Sequence, residues 1–168
     1  SVAGVELGCD AAFSVGGLDL VLGGVVDVTY LGLDGSGVSA IFDDTTAVYG
    51  IDWTGSLRGR VGVAPGPDFL LFATGGLGFA DISTRAFDTS TAPTFGLMDV
   101  SGGGTRFGWV IGGGAEWRVA DNWSVSVEYL HYEFDGIVAT GAATVPATAF
   151  PRFDTDLSVN TVRIGLKW

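Results

Sequence analysis

The sequence predicts an all-β fold, a transmembrane antiparallel up-and-down β-barrel, and three observations support this prediction. Apolar and polar residues alternate with a period of two in several segments, which gives each strand one apolar and one polar face. Only 16% of the 168 residues are charged, 47% are hydrophobic and 28 are glycine, whereas globular proteins average about 25% charged residues. No apolar run reaches the roughly 18 residues of a spanning helix. A closed barrel is then the structure that satisfies every backbone group in lipid.

Seven segments carry the alternation, and each is long enough for a tilted spanning strand, which needs about 9–11 residues. In the last segment Val162, Ile164 and Leu166 alternate with polar neighbours such as Arg163. The fourth is the least regular. The segments are Val2–Phe13, Leu18–Leu31, Ile51–Val63, Phe69–Ile82, Thr105–Val119, Trp123–Tyr132 and Leu157–Trp168.

The connections between these segments alternate strictly between short and long. The short ones are turns rich in Gly, Pro, Asp and Asn, at Ser14–Gly17, Ala64–Asp68 and Ala120–Asn122. The long ones are Gly32–Gly50, Ser83–Gly104 and Glu133–Asp156. Outer-membrane barrels combine short periplasmic turns with longer external loops. The pattern therefore predicts the outer membrane of a bacterial cell as the location.

Aromatic residues recur near the ends of the predicted strands. We interpret them as two girdles at the membrane interfaces, although ordinary sheet packing also favours aromatic residues. The predicted girdle residues are Tyr30, Trp53, Phe69, Phe107, Trp117, Trp123, Tyr129 and Trp168.

The polar faces of the strands predict a charged barrel interior, or lumen. The residues assigned to this lumen network are Glu6, Asp10, Asp27, Arg58, Arg60, Glu116, Arg118, Glu128, Arg163 and Lys167. Five acids and five bases nearly balance. A paired and packed network is expected, because an eight-stranded barrel is just wide enough for side chains to fill. An open ion path, or carboxylates acting as acid and base, are the alternatives.

No catalytic, cofactor-binding or metal site is predicted. Cys9 and His131 are each the single residue of their kind, whereas a metal site needs several such ligands. The glycine triplets at 102–104 and 112–114 lack the Lys-Ser/Thr of a phosphate-binding loop. The net charge of −11 argues against a nucleic-acid partner.

The long connections combine many aspartates with large apolar residues. Purely solvated loops rarely expose so many apolar side chains. We therefore expect these residues to pack on one another or against a partner, which is outer-membrane lipid and lipopolysaccharide, a neighbouring envelope protein, or a second copy. The apolar residues are Ile41, Phe42, Phe87, Phe95, Met98, Phe150 and Phe153, and the acidic ones are Asp34, Asp43, Asp44, Asp88, Asp99, Asp135, Asp154 and Asp156.

Three segments resemble the porin-like small outer-membrane proteins of alphaproteobacteria. They are Ile51–Gly62 (IDWTGSLRGRVG), Ala73–Gly78 (ATGGLG), and the hairpin formed by Gly112–Trp117 (GGGAEW) and Trp123–Leu130 (WSVSVEYL). The resemblance runs through nearly the whole chain. It implies an eight-stranded barrel of the OmpA-type class and a structural or surface protein. Some members are haem binders, so the resemblance also implies haem contact by His131 as a weaker alternative to packing. It implies no catalytic residues.

Seven strands are one fewer than the resemblance implies, and bacterial single-chain barrels have an even number. We therefore expect one outer-membrane barrel domain over residues 1–168 that lacks its first strand. Counting strand directions back from a periplasmic carboxyl-terminal end places the eighth strand between Val2–Phe13 and Leu157–Trp168. Its source is an amino-terminal segment of the same polypeptide or another chain.

The predicted function is that of a non-enzymatic outer-membrane barrel with a structural or surface role. A loop-based binder of a ligand such as haem, or a narrow channel, are the alternatives within the same fold. A soluble lipocalin-like barrel is a further alternative, and it requires apolar side chains inside and charged ones outside.

Overall fold

The computed structural model describes residues 2–38, 45–88, 98–138, 140–143 and 154–168, and apart from turns these residues form antiparallel β-sheet. No helix in the described ranges is long and apolar enough to cross a membrane. The strands are β1 Ala3–Val15, β2 Leu18–Val38, β3 Thr45–Gly66, β4 Phe69–Asp88, β5 Met98–Ala120, β6 Trp123–Val138, β7 Thr140–Ala143 and β8 Asp154–Lys167.

The long strands lie in chain order, β1-β2-β3-β4-β5-β6-β8, and each is antiparallel to its neighbours. This arrangement confirms the all-β up-and-down fold predicted from the sequence. The short turns also lie where the sequence placed them. Gly16 and Gly17 have φ of 60° and 86°, values that suit the type I′ turn of a two-residue hairpin and that other residues rarely adopt.

The long connections predicted from the sequence are largely strand, which corrects the prediction. β2 continues to Val38, β3 begins at Thr45, β4 continues to Asp88 and β5 begins at Met98. The extensions pair with one another, so their backbone groups remain hydrogen-bonded beyond the predicted span. β7 pairs with the outer end of β5. The loop residues Ile41, Phe42, Asp43, Asp44, Phe95, Phe150 and Phe153 lie outside the described residues.

The outward face of the sheet carries large apolar side chains that are mostly exposed in the described chain. Leu57 is 55% exposed, Ile164 is 79% exposed and Trp168 is 87% exposed, whereas the inward-facing Arg58 is 2% exposed. Exposed apolar and buried charged residues are the reverse of a soluble lipocalin-like barrel. Lipid on the outward face accounts for this distribution.

The inward face has two layers. At the end of the sheet opposite the short turns, which the sequence predicts to be external, lies the apolar layer, formed by the buried residues Ala80, Ile82, Val110, Leu130, Tyr132 and Phe134 with Ile51, Leu157 and Val159 packed against them. Towards the periplasmic turns lies a charged layer, described below. The apolar layer departs from the expected polar interior. On β6 the polarity of the two faces reverses beyond Tyr129. The inward positions there hold the apolar Leu130 and Tyr132, whereas the polar His131 faces outward.

The sheet does not close between β1 and β8, and we call this opening the seam. Each of the two strands pairs on one side within the described residues, and β1 is exposed along its whole length. Inward-facing residues of β8 are half-buried, whereas Thr54 and Ser56 on β3, near the middle of the sheet, are fully buried.

Candidate functional site

The charged layer is built by the strand period. Ser56, Arg58 and Arg60 are alternate residues of β3, so all three face inward. The antiparallel register places Asp27 of β2 opposite Ser56. On the far side of the sheet, Glu128 of β6 lies opposite Arg163 of β8. Curvature of the sheet then brings these strands together across the lumen.

Arg58 is the centre of the charged layer, and its side chain is fully buried. Its Nη1 donates to Glu128 Oε1 at 2.6 Å, and its Nη2 lies 3.1 Å from Asp27 Oδ2 and 3.2 Å from Glu6 Oε2. Its Nε donates to Ser56 Oγ at 2.8 Å, and the Ser56 hydroxyl donates in turn to Asp27. One guanidinium therefore connects β1, β2, β3 and β6.

Glu116 is a second centre nearer the periplasmic turns. Its carboxylate accepts from Arg60 Nη2 at 2.8 Å, from Lys167 Nζ at 3.1 Å and from Ser124 Oγ at 2.7 Å. Arg60 also reaches Asp10 Oδ2 at 3.4 Å and lies 4.0 Å from the centroid of the Phe72 ring. This centre connects β1, β3, β5, β6 and β8.

Two side chains of β8 join these centres to each other and to the apolar layer. Lys167 Nζ lies 3.1 Å from Glu6 Oε1, which is an ion pair between the two strands that border the seam. Arg163 Nη1 donates to Asp27 Oδ1 at 2.7 Å, and its Nη2 donates to the Tyr132 hydroxyl at 2.7 Å. Tyr132 in turn stacks on Phe134 with ring centroids 5.7 Å apart.

The structure brings nine of the ten predicted lumen residues into this single network, in which five acids face four bases. Arg118 is not part of it. Arg118 is exposed and forms no ion pair with the described residues, while its backbone N–H donates to the Asp68 carbonyl. Its position close to the turn at 121–122 places it at the rim of the lumen. The network therefore contains one more acid than base, whereas the set expected from the sequence was balanced.

Sequence reasoning missed Ser56, Ser124 and Tyr132, which complete the network with hydroxyl groups. The signal for the two serines was present, because each occupies an inward position of its strand. Tyr132 had no such signal, since the alternation reverses before it. Five buried polar atoms have no partner among the described residues, namely Thr54 Oγ1, Arg60 Nε, Arg106 Nε, Thr161 Oγ1 and Arg163 Nε. Two of them lie on β8, which borders the seam.

The structure places all eight predicted girdle residues on the outward face. Phe69, Trp117, Trp123 and Trp168 are 39–87% exposed and lie at the periplasmic end. Towards the external end, Tyr30 lies opposite Trp53, the Trp53 ring contacts that of Phe79 edge-on at 5.8 Å, and Phe79 lies opposite Phe107. Tyr129 donates from its hydroxyl to Asn160 Oδ1 at 2.7 Å.

His131 and Cys9 also face outward. His131 lies within β6, with Nδ1 2.8 Å from Asn160 Oδ1 and its ring 5.6 Å from that of Trp109. Cys9 is a free, exposed thiol on β1. In the part of the chain that the structure describes, no three His, Cys, Asp or Glu residues are grouped to hold a metal ion.

The chemistry of the charged layer is that of mutual neutralisation. Every acid of the network has a cationic nitrogen within 3.4 Å. Charges that are paired at these distances hold each other in place, because separating them would leave a desolvated ion. The layer therefore links strands from all sides of the barrel across its interior.

Comparison with known proteins gives one family and several relatives. The chain matches the outer membrane protein beta-barrel domain family over residues 4–168. It is 26% identical over 174 residues to the 31 kDa outer-membrane immunogenic proteins of Brucella melitensis biotype 1 and Brucella suis biovar 1, which covers 99% of this chain and 65% of each relative. It is 35% identical over 82 residues to a 22 kDa outer membrane protein of Rhizobium leguminosarum bv. viciae, which covers 49% of this chain and 33% of the relative.

The chain thus spans less than two thirds of the length of the curated relatives that it matches. No solved structure matches it significantly.

Proposed function

The chain belongs to the outer-membrane β-barrel family and is a protein of the bacterial outer membrane, and on this premise we propose that it is a non-enzymatic barrel with a structural and surface role. Its interior is closed to ions. Its outward face contacts outer-membrane lipid and its external strands contact partners in the envelope.

The network centred on Arg58 carries this proposal. A fully buried guanidinium that reaches carboxylates on three other strands occupies the middle of the lumen and leaves its neighbours few alternative positions. Each of its contacts would have to break before the side chain could move aside. Breaking a buried ion pair costs about 3–5 kcal/mol, so spontaneous opening is rare.

The apolar layer adds a second barrier in series. Leu130 and Tyr132 are fully buried and pack with Phe134 beside the charged layer, on its external side. An ion crossing this layer would lose its hydration without gaining a polar partner. A channel would therefore need rearrangement of both layers, whereas a structural barrel gains stability from each.

Planar-bilayer recording tests the closed interior. The purified protein should show little or no steady conductance. The triple variant Arg58→Ser/Glu128→Ser/Tyr132→Ser shortens the closest ion pair of Arg58 and the largest fully buried side chain of the apolar layer, and it should produce small currents. The matched variant Leu57→Ser/Val127→Ser changes the neighbouring outward residues and should remain silent. Large, stable, cation-selective currents from the unaltered protein would contradict the proposal.

The seam enters the same proposal, because two open strand edges in hydrocarbon leave unpaired N–H and C=O groups that cost several kcal/mol each. We expect an eighth strand, antiparallel to both β1 and β8, to complete a single barrel domain. The buried and unpartnered Thr161 Oγ1 and Arg163 Nε, both on β8, support this expectation. An inserted strand would bring hydrogen-bond acceptors within their reach.

A further inference from the structure

A groove lined by four strands lies on the outside of the barrel, where β2, β3, β4 and β5 extend beyond the span predicted from the sequence. We call it the wall groove. It has a volume of about 520 Å³. The residues that line it are Asp34, Val48, Gly50, Ser83, Thr84, Arg85, Ser101, Gly102 and Gly103.

Strand register shows that the wall groove faces away from the lumen. One row of paired residues is Asp34, Gly50, Ser83 and Gly103, and the next row on the same face is Val48, Arg85 and Ser101. Ile82 is 2% exposed and belongs to the inward apolar layer. Its neighbour Ser83 must therefore point outward, and so must Arg85.

Small residues make this part of the wall concave. Gly50, Ser83, Ser101 and Gly103 form the floor. At Gly50 a Cβ atom would lie 2.6 Å from Ser83 Oγ, so a larger residue would displace the serine hydroxyl from the floor. Longer side chains stand at the rim, where Arg85 lies 5.5 Å from the centroid of the Phe87 ring.

The depth of the wall groove identifies the layer of the membrane that it meets. The next outward row towards the periplasm contains Tyr30 and Trp53, and the row after that contains Phe79 and Phe107. Aromatic residues of this kind mark the boundary between hydrocarbon and headgroups in membrane barrels. The short turns lie at the opposite end, so the wall groove lies on the external side. Headgroups of the outer leaflet occupy this layer.

From this placement we propose that the wall groove binds the phosphorylated sugar headgroup of an outer-leaflet glycolipid, lipopolysaccharide in a bacterial outer membrane. Arg85 supplies a guanidinium cation that donates a charge-assisted hydrogen bond to a phosphate. The hydroxyls of Ser83 and Ser101 donate to and accept from sugar hydroxyls, and the Asp34 carboxylate accepts from them. Groove and lipid face are continuous, so a lipid with its acyl chains against the girdle can place its headgroup here.

This inference rests on the proposed orientation in the outer membrane but not on a closed lumen. Native mass spectrometry of the full chain in detergent, titrated with lipopolysaccharide, measures how much glycolipid the protein retains. Arg85→Gln should weaken retention about tenfold, the factor expected from the loss of one charge-assisted hydrogen bond. The matched control is Arg118→Gln, because Arg118 is an exposed cation at the periplasmic end. It should retain as much glycolipid as the unaltered protein.

A second pair of variants tests the cavity itself. Ser101→Trp fills the groove and should abolish retention, whereas Ser158→Trp, an exposed position on β8, should not. The heat-induced shift in gel mobility checks that each variant is folded. Equal retention by Arg85→Gln and Arg118→Gln would overturn the inference, and so would undiminished retention of lipopolysaccharide from which the phosphates have been removed. If these retention tests fail but a planar-bilayer recording of the same preparation shows no conductance, the wall-groove inference is wrong and the proposed closed interior is still supported.

Discussion

Arg58→Met removes the central cation of the lumen and replaces it with an uncharged side chain of comparable reach. Arg58 contacts Glu128 at 2.6 Å, Asp27 at 3.1 Å and Glu6 at 3.2 Å. In this variant Asp27 still has its ion pair with Arg163, and Glu6 still has its ion pair with Lys167. Glu128 keeps no cation among the described residues, although its side chain is only 10% exposed. One stranded carboxylate should lower the free energy of unfolding by about 3–5 kcal/mol.

Urea titration of the protein in lipid vesicles, followed by tryptophan fluorescence, measures this change. Arg118→Met is the matched control, since it removes an exposed arginine and should change the free energy of unfolding by about 0.5 kcal/mol or less. The double variant Arg58→Met/Glu128→Leu removes both charges and should recover part of the loss, because no unpaired ion remains. Equal costs for Arg58→Met and Arg118→Met would refute the reasoning, because the network would then contribute no more than a surface charge.

Two further predictions concern the outward face and the seam. Leu57→Arg places a charge on the lipid-facing side of β3 near the middle of the membrane and should cost about 2–4 kcal/mol, whereas Leu18→Arg beside a periplasmic turn should cost about 0–1 kcal/mol. Equal costs in the same urea titration would argue against the proposed depth of these residues. For the seam, intact-mass measurement of the purified protein should detect either a longer polypeptide or an accompanying peptide. A mass near the 17.3 kDa of this chain, with a stable, heat-modifiable barrel and no added peptide, would contradict the eighth strand.

Within the membrane the sequence was a good guide to the strands, because lipid and lumen impose opposite demands on alternate residues. Beyond the hydrocarbon layer both faces meet polar surroundings, so the alternation lapses. Asp34–Gly37 and Ser101–Gly104 are small or polar throughout, and nothing local marks them as strand. Their structure depends on pairing between distant segments. β7 could not be predicted for the same reason, because it follows β6 in the chain but pairs with the distant β5.

The residues that form the charged layer could be predicted from the sequence, but the ion pairs between them could not. The strand period indicates that Glu6 and Arg58 both face inward, yet their contact at 3.2 Å joins residues 52 positions apart through the curvature of the sheet. Arg118 shows a limit of predicting lumen residues from the strand period. It lies on the inward face, but at the end of its strand that face meets solvent rather than the network. The apolar layer shows another limit, since Leu130 and Tyr132 face inward where the rule of a polar interior predicts the opposite.

The assignment of the strand faces underlies every inference above, and quenching of a single tryptophan tests it most directly. Trp109 is 43% exposed on the outward face of β5, so a variant that retains Trp109 alone should be quenched by brominated lipid in vesicles. Water-soluble acrylamide should have little effect. Quenching by acrylamide without quenching by brominated lipid would mean that this face meets water, and the account of a lipid-facing barrel with a charged interior would be wrong.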